Sequence, residues 1–312
     1  MEGDSNMLSV ILPAYNEELM ISKAAQVISE ILDTENIKNE IIFVDDGSSD
    51  KTWEKIESIS KEYFNVRGVH FSRNFGKESA ILAGLQHSKG DCCVVLDCDL
   101  QHPPEKIVEM YRLWQDGFEI VEGQKISRGN EGKLHTVAAN TFYSIISKVT
   151  GFDMKNASDF KLLDRKAVNV LLNMKEQESF FRALSSWIGF KTATVLFDVK
   201  ERMAGESKWS TASLIKYAVT NITSFSTLPM QIVTLLGSIM FVISIVFGII
   251  SFVQKMLGQA LEGFTTVILL LTFSSSVIMI SLGIIGYYVA RIYEEVKGRP
   301  RYIVSHTCGK DG

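Results

Sequence analysis

Three short polar clusters hold the residues best suited to chemistry: Tyr15-Asn16-Glu17, Asp45-Asp46, and Asp97-Cys98-Asp99 followed by Gln101. Two aspartates one residue apart, just past a strand end, can present hard oxygens to Mg²⁺ or Mn²⁺. An ion so held can bridge two phosphates of a diphosphate. Gln101 adds another oxygen nearby. Carboxylates alone would repel a diphosphate, whereas carboxylates holding a divalent cation would not. An Asp-x-Asp by itself is a weak signal. Its weight here depends on whether the other two clusters reach the same place.

The elements around the clusters say that they do. Leu8–Pro13 is a β-rich run ending in proline, and Asn16-Glu17-Glu18 offers an N-cap and an acidic first turn for a helix to about Leu32. Glu40–Val44 reads as the next strand, with a helix from about Lys51. Val66–Phe71 is a third strand, with a helix over Lys77–His87. Cys92–Leu96 is a buried strand, and Pro103-Pro104-Glu105 opens another helix. Phe118–Glu122 is a fifth strand. Near-continuous apolar strands alternating with helices predict a mostly parallel sheet covered on both faces, a Rossmann-like α/β domain. In such sheets ligands bind beyond the carboxyl ends of the strands, where all three clusters fall. No G-x-G-x-x-G follows the first strand and no G-x-x-x-x-G-K-[ST] occurs, so a dinucleotide fold or a P-loop hydrolase is unsupported.

Composition narrows the class. The 312 residues hold 36 acidic and 32 basic side chains, a formal charge of −4, which argues against a general nucleic-acid binder. Cys92, Cys93, Cys98 and Cys308 form no CxxC and no Cys/His cluster, so neither a disulfide framework nor a zinc site is expected. The acidic start of the chain shows no cleavable signal peptide.

Two uncharged apolar runs stand near the C-terminus. Residues 231–253, about 34 Å as a helix, can cross a hydrocarbon core of about 30 Å, and residues 264–290 form a second such run. Arg291, Lys297, Arg299 and Arg301 follow the second, so the positive-inside rule places both termini and the catalytic part in the cytoplasm. The expected organisation is a cytoplasmic domain over 1–210, a juxtamembrane amphipathic segment over 211–227, a transmembrane hairpin over 228–290 and a basic tail over 291–312. Trp187 and Phe190 read as core residues, with a bilayer-facing position as the alternative for Trp187.

LSVILPAYNEE, IIFVDDGSSDKT, FSRNFGKESAILAGL and VVLDCDLQHPPE, in this order, resemble the GT-A domain of glycosyltransferase family 2. SDFKLLDR and ERMAGESKW extend the resemblance, and the two spans are similar to the polyprenyl-phosphate branch of that family. The resemblance implies an inverting transfer of a sugar from a nucleotide-sugar donor to a lipid phosphate. It implies that Pro13, Tyr15 and Glu17 line the nucleotide, with Asp45 or Asp46 reading the base. It further implies that Asp97, Asp99 and Gln101 hold the metal, Mg²⁺ or Mn²⁺, and the diphosphate. Asp159 falls where the family places its candidate base, and Arg202 and Lys208 where it places phosphate-binding residues. Arg73, Asn74 and Lys77 match the family as well, although a solvated helix start explains them equally.

Some positions depart from the pattern. Lys125 stands where arginine is usual and meets a phosphate as a point charge instead of a two-pronged fork. Ser158 replaces a frequent glycine, Cys98 a frequent alanine, and His102 a frequent aspartate. His102 reads as a helix-start residue and not as a ligand. No QxxRW is present, which argues against a processive polysaccharide synthase.

A lipid phosphate has a second pKa near 6, by analogy with phosphorylated side chains, so it is largely ionised at neutral pH. A strong general base is then unnecessary, and Asp159 is expected to position the acceptor or take only a residual proton. The donor favoured on resemblance is UDP-glucose and the acceptor undecaprenyl phosphate, for modification of a cell-envelope glycan. A homo-oligomer, up to a tetramer, a flippase and a downstream glycosyltransferase are the expected protein partners. A different lipid acceptor and a non-catalytic scaffold of the same fold are the alternatives. A transporter is disfavoured by two spans without an intramembrane charge.

Overall fold

The computed structural model of the chain describes residues 6–126, 157–174, 176, 181–198, 228–257 and 263–310. The chain divides into two compact units, residues 1–209 together with 299–312, and residues 210–298.

The first unit is built on one eight-stranded sheet. Its strands are β1 (Leu8–Ala14), β2 (Asn39–Asp45), β3 (Val66–Phe71), β4 (Cys92–Val95), β5 (Ile120–Lys125), β6 (Ala157–Asp164), β7 (Thr192–Phe197) and β8 (Val304–Cys308), in the spatial order β7-β5-β6-β4-β1-β2-β3-β8. The pairs β1–β2, β1–β4, β2–β3 and β5–β7 are parallel, while β4–β6, β5–β6 and β3–β8 are antiparallel. The sheet is thus mostly parallel, as the alternation of strands and helices predicts. Among the described residues its helices are α1 (Ile21–Thr34), α2 (Thr52–Glu62), α3 (Lys77–His87), α4 (Lys106–Gln115), α5 (Arg165–Asn173) and α6 (Phe181–Trp187).

Both faces of the sheet's centre are covered, which is why β1, β2 and β4 lack polar alternation. On β2, Ile41 and Phe43 pack into a core with Ile21, Ala24 and Ile28 of α1, while Ile42 and Val44 pack with Ala80 and Ala83 of α3. Helix α3 lies so close to β1 that a Cβ on Gly84 would sit 2.2 Å from Ile11 Cγ2. That contact fixes the direction in which α3 presents its first turn.

The C-terminal part differs from the expected division. Residues 291–310 do not form a free tail. Residues 291–297 continue the second long helix, and Val304–Cys308 adds to the sheet as an antiparallel edge strand on β3. Tyr302 stacks on Phe71 at 5.0 Å, and Ser72 N donates to Ile303 O at 3.0 Å. Five residues too short for a clear periodic signal carry this pairing. Trp187 is 61% exposed, which departs from the core reading and leaves its alternative.

Among the described residues the second unit holds two helices, α7 (Leu228–Met256) and α8 (Phe264–Lys297). Met230–Gln254 has a mean hydropathy of 2.6 and Leu270–Lys297 one of 1.8, and neither window is buried. Both are long and apolar enough to cross a membrane, in agreement with the two expected spans. Helix α8 ends at Gly298, whose left-handed φ of 58° stops the helix.

Candidate active site

The ends of β1 and β2 are laced together. Asn16 adopts a left-handed φ of 55°, which turns its amide oxygen onto Ser49 N at 2.9 Å while its own N donates to Ser48 Oγ at 2.9 Å. Glu17 N donates to Thr52 Oγ1 at 2.9 Å. These bonds set the backbone around Pro13, Tyr15 and Glu17, and Tyr15 is left 48% exposed at the strand end. It is a ring presented to solvent, suited to stacking on a flat ligand.

Asp45 and Asp46 are both buried, and both work on the scaffold. Asp45 Oδ1 accepts from Ser48 N and Oγ at 3.1 and 2.5 Å, and Asp45 Oδ2 lies 2.7 Å from His70 Nδ1. His70 in turn stacks on Trp53 at 4.9 Å. Asp46 accepts from Phe75 N at 2.6 Å and Gly76 N at 2.9 Å, the two amides just before α3. Burial raises the Asp46 pKa, opposed by those two amides. Gly47 completes the joint. Its φ of 65° and a hypothetical Cβ only 2.4 Å from Arg73 C leave room for no other residue. The acidic turn after β2 therefore holds the loop that launches α3.

The Asp-x-Asp loop is pinned from beneath. Cys98 is buried and its Sγ donates to Pro13 O at 3.3 Å, and Leu96 N donates to Ile11 O at 3.0 Å. Leu100 is buried with a left-handed φ of 54°. A branched side chain in that conformation costs on the order of 1–3 kcal/mol, and its burial holds it there. Asp99 Oδ1 accepts from Gln101 N at 3.1 Å. Asp97 keeps a side chain 27% exposed.

Asp159 reaches this loop through strand pairing. In the antiparallel β4–β6 ladder Val95 faces Lys161, and continuing that register brings Asp97 opposite Asp159. Lys77, the first residue of α3, joins them: its Nζ is 2.6 Å from Asp97 Oδ1 and 2.7 Å from Asp159 Oδ2. Arg182 of α6 adds a two-point contact, Nε to Asp159 Oδ1 at 2.6 Å and Nη2 to Oδ2 at 2.8 Å. Asp159 is 4% exposed. Burial disfavours its charge, but Lys77 and Arg182 outweigh that and hold its pKa well below the usual carboxylate range. A carboxylate so held is a poor proton acceptor and a good organiser of cations.

Two further groups complete the cluster. Glu78 accepts from Phe181 N at 2.9 Å and ties α3 to α6; burial, with Asp159 nearby, pushes its pKa up to about 7. Lys125 on β5 lies in the field of Arg182, Asp97, Asp159 and Lys77, and burial lowers its pKa. Behind them Lys161 is fully buried. Its Nζ is 2.5 Å from Glu122 Oε1, 2.8 Å from Ser185 Oγ and 3.2 Å from Arg182 O, which seats α6 on the sheet.

Most of the expected residues therefore gather at the carboxyl ends of β1, β2, β4 and β5. Arg202, Lys208 and the amphipathic segment over 211–227 lie outside the described residues. Sequence reasoning passed over Lys77, whose start-of-helix position looks solvated, and missed Arg182, Glu78 and Lys161. Arg182 stands in no motif. The signal for Lys161 was present: a lysine two residues after Asp159 on one strand must share its face.

Among the described residues no three His, Cys, Asp or Glu side chains form a ready metal cage. Mg²⁺ and Mn²⁺ need none, since one or two carboxylates plus substrate phosphates commonly hold them. Two observations fit a cation at Asp97. The Lys77 ammonium already sits there as a stand-in. His102 Nδ1, buried without a hydrogen-bond partner, lies 3.9 Å from Asp97 Oδ2. The His102 ring is held between Phe160 and Phe197 at 5.4 and 5.2 Å.

Comparison with known proteins agrees with the fold. The chain is 37% identical over 304 residues to an uncharacterized glycosyltransferase of Synechocystis sp., covering 97% of this chain and 96% of that one. It is 33% identical over 299 residues to the prophage bactoprenol glucosyl transferase homolog of Escherichia coli, covering 95% and 98%. Among solved structures, glucosyl-3-phosphoglycerate synthase from Mycobacterium tuberculosis shares the fold, with a TM-score of 0.52, 18% identity, and coverage of 70% and 78%. The family model for Glycosyl transferase family 2 matches residues 9–175, a span that takes in all three strand-end clusters and Asp159, and the chain belongs to that family of glycosyltransferases.

Proposed function

We propose that this glycosyltransferase moves glucose from UDP-glucose to undecaprenyl or another polyprenyl phosphate at the cytoplasmic face of a membrane, with inversion. The carrying observation is the strand-end cluster in which Lys77, Arg182 and Lys125 surround Asp97 and Asp159. That arrangement suits two anionic reactants, a leaving diphosphate and an attacking phosphate. The bactoprenol glucosyl transferase named above, matched over nearly the whole chain, supports the lipid acceptor.

Pro13, Tyr15 and Glu17 bind the nucleotide in this reading, while Asp45 and Asp46, expected to read the base, are buried and shape the turn beside it. Asp97, Asp99 and Gln101 hold Mg²⁺ or Mn²⁺. The ion supplies charge neutralisation for the departing diphosphate. The relative of known structure was crystallised with Mn²⁺ and UDP, which supports this choice of ligands. Lys125, Arg202 and Lys208 meet phosphate oxygens. The acceptor phosphate is already ionised at neutral pH, so Asp159 orders Lys77 and Arg182 instead of abstracting a proton.

Chain connectivity supports two crossings. Strands β1–β7 precede the two apolar helices and β8 follows them, yet all eight share one sheet. A chain that leaves that side through α7 must return through α8. Arg291, Lys297, Arg299 and Arg301 favour the cytoplasm for that side. A homo-oligomer and a flippase that carries the product across complete the proposal, with a downstream glycosyltransferase as consumer.

The test is label transfer by the full-length protein in detergent. Undecaprenyl phosphate is offered with a panel of labelled UDP- and GDP-sugars, with Mg²⁺, Mn²⁺ or chelator. Metal-dependent label in the lipid phase from UDP-glucose is expected. Transfer from a different sugar corrects the donor. Transfer only to another lipid, such as diacylglycerol, overturns the acceptor.

A further inference from the structure

The charge network around Asp159 is asymmetric. Asp159 has two cations, Lys77 on one oxygen and the Arg182 fork on both. Among the described residues Asp97 has one lysine or arginine within ion-pair contact, Lys77 at 2.6 Å; the other group in reach, His102, carries charge only when protonated. Its other oxygen faces His102 Nδ1 at 3.9 Å, beyond hydrogen-bonding distance. The Lys77 ammonium lies between two carboxylates, but its side chain as a whole is 41% exposed, so rotation of the stem can carry the ammonium outward. When it swings, Asp159 stays neutralised by Arg182 and Asp97 alone is freed.

We propose that Lys77 is a displaceable internal cation that occupies the Asp97 position until metal and donor arrive together. This rests on the proposed metal-assisted reading of the site and deepens it. A divalent ion on Asp97 would lie within a few ångströms of an ammonium 2.6 Å from Oδ1, and the repulsion between the two cations favours displacement of Lys77. A bare ion gains little by the exchange, since it trades one cation for another and meets the repulsion of the displaced one. A donor diphosphate changes this balance. Its negative charge gives the departing ammonium a new partner beside the ion. Metal and nucleotide therefore bind with mutual reinforcement, and Lys77 serves as the positioning residue that couples them.

The test is Mn²⁺ binding to the full-length protein in detergent, followed by electron paramagnetic resonance with and without UDP. In the wild type, weak Mn²⁺ binding that UDP tightens is expected. In Lys77→Met, binding without UDP should tighten by about tenfold or more, and the added effect of UDP should shrink. Lys77→Gln, which keeps a donor but no charge, should behave like Lys77→Met and serves if that variant fails to fold. Lys77→Arg, still cationic, should retain weak binding without UDP. Asp97→Asn identifies the site, because it should remove the measured binding. Asp97-dependent binding that is unchanged or weaker in both neutral variants overturns the proposal and leaves the metal-assisted reading intact. No Asp97-dependent binding in the wild type, even with UDP, overturns both.

Discussion

Arg182 grips Asp159 with two nitrogens on two oxygens, at 2.6 and 2.8 Å, across 23 residues of sequence. This fork, with Lys77 at 2.7 Å, makes Asp159 an anion whose task is to hold cations. Asp159→Asn keeps the shape and removes the charge, so Lys77 and Arg182 lose their common anchor. Turnover in the label-transfer assay should fall by about 10- to 100-fold. The acid limb of the pH–rate profile should not move, because Asp159 is ionised throughout the working range. A displaced limb would restore Asp159 as a base, and near wild-type turnover would remove it from the reaction.

Lys161 is a fully buried ammonium paired with Glu122 at 2.5 Å. Removing one partner of such a pair strands the other. Lys161→Met should destabilise the protein by about 3–5 kcal/mol in denaturant unfolding. The double variant Lys161→Met with Glu122→Leu should recover much of that loss. A double variant no more stable than Lys161→Met would show that the lysine acts through Ser185 and the Arg182 carbonyl instead.

Glu78 has a pKa raised from 4.5 to about 7, by burial first and then by Asp159. Its folded form binds a proton more tightly than its unfolded form. Its contribution therefore favours the folded state below about pH 4.5 and is lost as pH rises through about 7. Glu78→Gln, which keeps the acceptor for Phe181 N, should flatten this part of the stability profile. Relative to wild type it should gain stability above pH 7. Thermal melts from pH 5 to 8 decide, and parallel profiles for the two proteins would refute the assignment.

Tyr302 stacks on Phe71 and precedes β8, the edge strand on β3. Tyr302→Ala should cost about 1–3 kcal/mol in unfolding experiments. Its neighbour Arg301 accepts from Ser79 Oγ at 3.2 Å through its carbonyl and donates to Met174 O at 2.5 Å, so the strap touches α3 two residues after Lys77. The same variant should thus lower turnover as well as stability. A loss of stability with unchanged turnover at low temperature would separate the strap from the site.

How much of this was legible in the sequence follows from the range of each interaction. Strands β1 to β5 and the helices between them were readable because apolar period and prolines are local signals, and their ends marked Asp45, Asp97 and Asp99. The expected cap at Asn16 was not, since α1 starts only at Ile21 with Met20 at its N-cap and Asn16 bonds to Ser48 and Ser49 instead. The spans in α7 and α8 were readable because charge-free length is a property of one segment. Only the tertiary structure decided the rest. Strand β6 runs antiparallel, and its register with β4 brings Asp159 to Asp97 across 62 residues. Strand β8 returns after the apolar helices to an edge no local pattern announces. Lys77 and Arg182 look like surface cations until folding sets one buried carboxylate between them, because the field that gives them a role comes from residues distant in the chain.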